Sequence, residues 1–319
     1  MKILVTGGAG FIGSHLSEVL IEKGDELWII DNLSTGKLEN LERILKHPKL
    51  HLTVDTVMNE EVMDGLISKV DQIYHLAAAV GVRLIMDKPI ETIETNVKGT
   101  EIVLEVANKY KKKILLASTS EIYGNHVEHT LSEDDNRILG SVRKRRWAYA
   151  SSKTVDEFLA LAYHLEKKLP VVIARIFNTV GPRQVGQYGM VIPNFVQAAL
   201  LGKPIKVFGD GKQSRSFNHV SDTVAALIGL MNEPRAEGDV FNVGNGEEIS
   251  IEGLARKIKE MTGSSSAIEY VPYEQAYGTG FEDMQRRTPN ISKIQSAIGY
   301  QPKMTLEETL KSVINYFKR

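Results

Sequence analysis

The sequence predicts an α/β fold built on a doubly wound parallel sheet, and three observations predict it. Short apolar runs of strand type alternate with longer segments of helical period. Those runs are continuously apolar, which suits strands buried on both faces. The first of them is followed at once by a glycine-rich turn, Gly7-Gly8-Ala9-Gly10-Phe11-Ile12-Gly13, that opens a helix.

Taken in order, Ile3-Leu4-Val5 is the first strand, Phe11 to Ile21 the first helix and Leu27-Trp28-Ile29-Ile30 the next strand. Ile73-Tyr74-His75-Leu76 and Ile114-Leu115-Leu116 continue the sheet, separated by a helix from about Ile90 to Tyr110. A helix from about Trp147 to Lys167 leads into Val171-Val172-Ile173. Strands joined through helices in this way run parallel, with helices on both faces. After about Gly181 the rhythm changes: Gly209-Asp210-Gly211 and Gly244-Asn245-Gly246 separate short elements, and a last helix runs from about Leu306 to Phe317. The expected organisation is a Rossmann-type domain over residues 1–180, with a smaller, partly intertwined α/β lobe over 181–319.

Composition narrows the function classes. The 319 residues are 42% hydrophobic and 25% charged, enough apolar material for a folded core. Lys and Arg number 39 against 40 Asp and Glu, a formal charge of -1, so neither nucleic acid nor a polybasic membrane surface is an expected partner. The absence of cysteine excludes disulfides, thiolate nucleophiles and Cys-ligated zinc. No pair among the eight histidines has convincing metal-ligand spacing, so no metal is expected. No stretch approaches the roughly 18 apolar residues of a membrane span, and the first apolar run is too short for a signal sequence. A soluble, cytoplasmic protein is the expectation.

The glycine turn contains both Gly-x-Gly-x-x-Gly (Gly8, Gly10, Gly13) and Gly-x-x-Gly-x-x-Gly (Gly7, Gly10, Gly13). Its glycines permit the turn, allow the backbone to approach a pyrophosphate and let the helix pack on the strand. The helix N-terminus adds free N–H groups and partial positive charge. Asp31 ends the second strand, 18 residues after Gly13, where a carboxylate accepts both ribose hydroxyls and repels a 2′-phosphate. NAD is favoured over NADP.

Tyr149 and Lys153 are four residues apart and share one helix face. They follow Ser118-Thr119-Ser120-Glu121 at the end of a strand. A buried ammonium beside a phenol lowers the tyrosine pKa from about 10 toward neutrality. Tyr149 would then serve as base toward a sugar hydroxyl, with Thr119 as hydrogen-bonding relay. The basic run Arg143-Lys144-Arg145-Arg146 reads as a solvated loop for at least its first three members, and His75 and His219 read as structural.

These motifs resemble those of the extended short-chain dehydrogenase/reductases, in the nucleotide-sugar epimerase/dehydratase group, along essentially the whole chain. His75-Leu76-Ala77-Ala78, Asn96-Val97-Lys98-Gly99-Thr100, Phe177-Asn178-Thr179-Val180-Gly181-Pro182-Arg183, Arg215-Ser216-Phe217-Asn218-His219-Val220 and Arg287-Thr288-Pro289 carry the resemblance further. It implies a tightly held NAD that takes a hydride from C4 of a nucleotide-linked hexose, most simply a UDP-sugar. The cofactor would be held by Gly7, Gly10, Phe11, Ile12 and Gly13, by Asp31, Asn32 and Asp55, and by Leu76, Ala77, Ala78 and Asn96. Tyr149 and Lys153 would also touch it, with Thr119, Ser120 and Glu121 completing the catalytic set. Asn178, Arg215 and Arg287 would hold the diphosphate and neighbouring groups, and the segments around Ile192, Val207 and Phe208 the base. Arg183 and Thr179 would lie near the sugar of a uronate. Members of the group usually dimerise, and Val155, Phe158, Leu159 and Ala162 could supply the face or belong to the core.

The second chemical step separates the members. Dehydratases resembling this chain have Asp then Glu after the threonine, whereas here Ser120 precedes Glu121, and serine is a poor general acid. Decarboxylases resembling it have Thr-Ser-Glu and an arginine placed as Arg287, and Arg146-Trp147-Ala148-Tyr149 resembles a decarboxylase that makes a 4-keto pentose. The segment Gly181-Pro182-Arg183-Gln184 and the loop Gln187-Tyr188-Gly189-Met190 look more like epimerases. The sequence favours a nucleotide-sugar 4-epimerase, with UDP-glucuronate decarboxylation as the alternative. A 4,6-dehydratase and a non-catalytic NAD sensor stand behind both.

Overall fold

The first strand, β1 (Lys2–Thr6), places Ile3 and Val5 in one hydrophobic cluster and Leu4 in another. Successive strand side chains point to opposite faces, so an unbroken apolar run fits the middle of a sheet covered on both sides. A computed structural model describes residues 1–126, 130–186, 189–277 and 283–318, without the side chains of 82–84. Among them, β1 is followed by α1 (Phe11–Glu22), β2 (Glu26–Ile30), β3 (Leu50–Thr53), α2 (Glu60–Ile67) and β4 (Gln72–His75). Then come α3 (Val82–Asp87), α4 (Pro89–Lys109), β5 (Lys113–Thr119), α5 (Ala148–Lys167) and β6 (Val171–Ile176).

The second half contributes β7 (Thr179–Val180), α6 (Val191–Leu200), β8 (Ile205–Phe208), β9 (Ser214–Ser216), β10 (Asn218–His219), α7 (Val220–Asn232) and β11 (Asp239–Val243). It ends with β12 (Glu248–Ser250), α8 (Ile251–Thr262), β13 (Ile268–Val271), α9 (Tyr273–Tyr277), β14 (Arg286–Arg287), α10 (Ser292–Ile298) and α11 (Leu306–Phe317).

Seven parallel strands form the main sheet in the order β11-β6-β5-β4-β1-β2-β3. This is the doubly wound arrangement expected from the sequence. The chain order reverses between β1 and β4, which opens a crevice beyond their carboxyl ends. β3 was not among the strands read from the sequence. It lies at the sheet edge, its residues are only partly covered, and it lacks a continuous apolar run.

Leu16 and Leu20 of α1 and Val224 and Leu227 of α7 cover one face of the sheet. Val103 and Leu104 of α4 and Ala160 of α5 cover the other. Each fully buried aliphatic side chain contributes roughly 1.5–3 kcal/mol. β11 enters the sheet beside β6, with Val240 opposite Ile173, so a strand from the second half completes the first half's sheet. A separate cluster, including Ile192, Phe195, Leu254 and Leu310, joins α6, α8 and α11 around the parallel pair β8–β13.

Local signals set the helix ends. The Thr305 side chain accepts from the Glu308 N–H while the Glu308 side chain accepts from the Thr305 N–H, a reciprocal cap that starts α11. Ser250 caps α8, and Gly263 ends it in the left-handed region. Among the described residues no helix is long and apolar enough to cross a membrane.

Candidate active site

The crevice is a cavity of about 940 Å³ running from the glycine turn to α6 and β8. Gly7 adopts φ +70° and donates its N–H to the Ile30 carbonyl at 2.8 Å, tying the turn to β2. A Cβ on Gly13 would lie 2.1 Å from the Gly7 carbonyl oxygen, so only glycine lets α1 pack this closely. Gly10 starts α1 with no side-chain cap and no acid in the first turn. That leaves the positive end of the helix to a bound anion. At the end of β2, the Asp31 carboxylate accepts from Ala9 N–H at 2.9 Å and Leu33 N–H at 2.8 Å.

At the polar end, β5 delivers Thr119 and the 3-10 turn Ser120–Tyr123, while a second such turn, Arg145–Trp147, leads into α5. Tyr149 sits in the first turn of α5, buried, with Thr119 hydrogen-bonded to its phenol. Burial pushes the Tyr149 phenol up, and the charge on Glu121 pushes it further. The sequence expectation of a phenol lowered by Lys153 is therefore corrected for this structure. The Lys153 ammonium turns to the buried carboxylate of Asp156 at 2.7 Å, so its charge is balanced there.

Glu121 lies between two arginines, with Arg146 in direct contact and Arg287 Nη1 at 3.0 Å. Burial by itself would raise its pKa, yet the Arg146 and Arg287 guanidiniums hold it down at about 2. Asn178 accepts from Arg287 on the other side. Asp283 joins Arg215 at 2.9 Å and Arg146 at 3.6 Å. Among the described residues, three guanidiniums stand with two carboxylates in this cluster.

The cavity wall gathers Gly7, Gly10, Phe11, Ile12 and Gly13 with Asp31, Asn32, Asp55, Leu76, Ala77 and Ala78. Further along it lie Thr119, Ser120, Glu121, Tyr149, Asn178, Arg183, Ile192, Phe208, Arg215 and Arg287. Three residues expected at the site stand behind that wall. Asn96 is buried, accepts from Ala79 N–H at 2.8 Å and donates to Ser152 at 3.1 Å, propping the loop after β4. Lys153, one turn after Tyr149 on the same helix, is buried against Asp156. Val207 has its side chain in the cluster between α6, α8 and α11, because its neighbour Phe208 takes the cavity side of β8.

Arg183 lines the cavity, but its guanidinium pairs with Glu18 at 2.5 Å and Ser14 at 3.2 Å on α1. Thr179 is buried and bonded to Thr223 at 2.9 Å. Residues 187 and 188 of the expected epimerase-like loop lie outside the described residues. His75 is held neutral, with a pKa near 3, by burial and then by the Lys153 charge; Thr6 and Thr100 bond its two ring nitrogens. His219 caps α7 and contacts Ser312 at 3.1 Å.

Sequence reasoning missed Arg146 and Asp283 as site residues. Arg146 is the buried end of an otherwise more exposed basic run, 3% exposed, and its signal is its place three residues before Tyr149. Asp283 carried no signal, because only the fold brings it to Arg146 and Arg215.

Comparison with known proteins agrees with this geometry. The family model described as GDP-mannose 4,6 dehydratase matches residues 4–313. The chain is 43% identical over 318 residues to a UDP-N-acetyl-alpha-D-glucosaminuronate decarboxylase of Bacillus cytotoxicus, covering 99% of this chain and 98% of that protein. It is 39% identical over 318 residues to UDP-glucuronic acid decarboxylase 1 of Xenopus tropicalis, covering 100% of this chain and 72% of that protein. Among solved structures, the UDP-glucuronic acid 4-epimerase from Bacillus cereus, in complex with UDP-glucuronic acid and NAD, superposes with a TM-score of 0.90 at 29% identity. That match covers 100% of this chain and 99% of the other. The chain belongs to the GDP-mannose 4,6-dehydratase family, within the extended short-chain dehydrogenase/reductases that include nucleotide-sugar epimerases and dehydratases.

Proposed function

We propose that this protein is an NAD-dependent decarboxylase of a UDP-linked hexuronate, UDP-glucuronate or its 2-acetamido counterpart. The observation that carries the reading is Glu121 held ionised between Arg146 and Arg287 beside Tyr149. An acid with a pKa near 2 does not donate a proton at neutral pH, which argues against 4,6-dehydration at this position. The guanidiniums of Arg146, Arg215 and Arg287 suit an anionic sugar, since a carboxylate accepts charge-assisted hydrogen bonds that a hydroxymethyl group makes only as a neutral acceptor. The relatives at 43% and 39% identity are named as decarboxylases, which moves the reading from the 4-epimerase favoured by sequence to its alternative.

The residues present fit a dinucleotide. The glycine turn has no room for a Cβ at Gly13, α1 begins without a cap, and the Asp31 carboxylate stands at the end of β2. When bound, NAD supplies the acceptor and later the donor of the C4 hydride. Gly10 to Gly13 would face its diphosphate and Asp31 its adenosine ribose.

Tyr149 takes the O4 proton in its ionised form as C4 becomes a ketone, a form that burial and Glu121 oppose, and the Thr119 hydroxyl bonded to it stabilises the phenolate and holds it in line. A ketone at C4 makes the C6 carboxylate that of a β-keto acid, which loses CO2 when the enolate left behind is stabilised; that enolate then takes a proton at C5 from solvent to give the 4-keto pentose. Arg287, fixed by Glu121 and Asn178, supplies positive charge to this end of the sugar, and Arg215 supplies it toward the diphosphate. The reading includes a homodimer formed through α4 and α5.

The test is incubation of the purified protein with NAD and UDP-glucuronate, and separately with UDP-N-acetylglucosaminuronate, following sugar signals by NMR beside CO2 release. CO2 with a UDP-pentose from the first, or with the corresponding UDP-2-acetamido-2-deoxypentose from the second, is the expected result. A C4 epimer without CO2 would reverse it in favour of the epimerase. Tyr149→Phe is expected to slow turnover by at least about 100-fold.

A further inference from the structure

Arg183 sits at φ +71°, in the left-handed region that arginine seldom adopts. Such a conformation persists only where the surroundings over-determine it. Its guanidinium crosses to α1, 165 residues away in sequence, and meets Glu18 Oε1 at 2.5 Å and Ser14 Oγ at 3.2 Å. Both ends of the ion pair are mostly buried, with side-chain exposures of 13% and 11%. A second bond runs alongside, between the His15 ring and the Pro182 carbonyl at 3.0 Å. The loop carrying Arg183 is itself anchored, since Gln184 donates to the Thr179 carbonyl at 2.9 Å.

The two elements joined in this way pack on each other and both line one cavity. Gly10, Phe11, Ile12 and Gly13 line it from the start of α1, and Val180, Arg183 and Gln184 line it from the end of β7 and the loop after it. Glu18 opens the third turn of α1, roughly 10 Å along the axis from the helix start that faces the expected diphosphate. Separating the two elements requires breaking the Arg183–Glu18 pair and its companion bond.

Resting on the NAD reading above, we propose that Glu18 and Arg183 form a clasp that retains the dinucleotide. Arg183 acts through Glu18 as a positioning residue, rather than by recognising the sugar. A cofactor enclosed in this way leaves only when the clasp opens, so the pair sets the dissociation rate more than the binding of the nucleotide sugar.

The purified full-length chain is loaded with isotopically labelled NAD and chased with excess unlabelled NAD, with retained label counted over time. Glu18→Gln and Arg183→Met are each expected to speed release by about tenfold, and the double variant by no more than either one. Far-UV circular dichroism and thermal midpoints of the variants identify any that fail to fold. The KM for the nucleotide sugar is expected to move much less than the release rate.

Faster release in Arg183→Met alone would overturn the clasp, since Arg183 would then act on the cofactor directly. Unchanged release in both variants would also overturn it. Wild-type protein that retains no label at all would instead refute the NAD reading on which the inference stands.

Discussion

Lys153 and Asp156, three residues apart on α5, form an ion pair of 2.7 Å in which the side chains are 2% and 1% exposed. The lysine of the Tyr149–Lys153 pair is thus neutralised from below, by a carboxylate on its own helix. Removing one partner of a buried pair leaves a charge without compensation. Asp156→Ala is therefore expected to lower the unfolding free energy by about 3–5 kcal/mol, seen as a lower urea midpoint.

Glu121 imposes a pH dependence on stability. Its folded pKa of about 2 lies below the ordinary value of 4.5. The stabilisation is complete above about pH 4.5 and is lost as the pH falls toward 2, because the unfolded chain binds the proton first. The shift corresponds to something on the order of 3 kcal/mol. Urea titrations at pH 7 and pH 3 are expected to show a smaller difference for Glu121→Gln than for the wild type.

Arg146 balances the charge that Glu121 presents to Tyr149. Without it, Glu121 keeps Arg287 alone and opposes ionisation of a phenol already raised by burial. Arg146→Met is expected to reduce kcat by about 100-fold and move the acid limb of the rate profile to higher pH. Arg146→Lys is expected to recover only part of the loss, because one ammonium cannot reproduce the contacts of a guanidinium to Glu121 and Asp283. CO2 release measured across pH checks both.

The outer face of α4 and α5 carries Phe158 at 59% exposure, Val155 at 47% and Ile93 at 43%, while Leu159 packs against the core. If this apolar stripe meets a second copy, Phe158→Asp is expected to halve the mass measured by light scattering after size-exclusion chromatography. Its far-UV spectrum is expected to stay unchanged.

How much could be read in advance followed the range of the interactions involved. β1, the glycine turn, α1 and Asp31 lie within one stretch of chain, and their residue types answer to local dihedrals and close backbone approach. The helix from Leu306 to Phe317 was legible for a similar reason, since Thr305 and Glu308 cap it locally. β3 was not, because an edge strand need not be apolar. Val207 and Phe208 were given one role on sequence, but strand alternation sends them to opposite sides.

The sequence by itself determined the doubly wound sheet, the dinucleotide-type turn and the pairing of Tyr149 with Lys153 on one helix face. Each follows from periodicity or from spacing within a turn of backbone. Only the tertiary structure decided the electrostatics: Glu121 between Arg146 and Arg287, Asp283 bridging to Arg215, Lys153 turned to Asp156 and Arg183 to Glu18. Charge interactions depend on distance and burial. Residues up to 166 positions apart come within 3.0 Å only after the chain has folded.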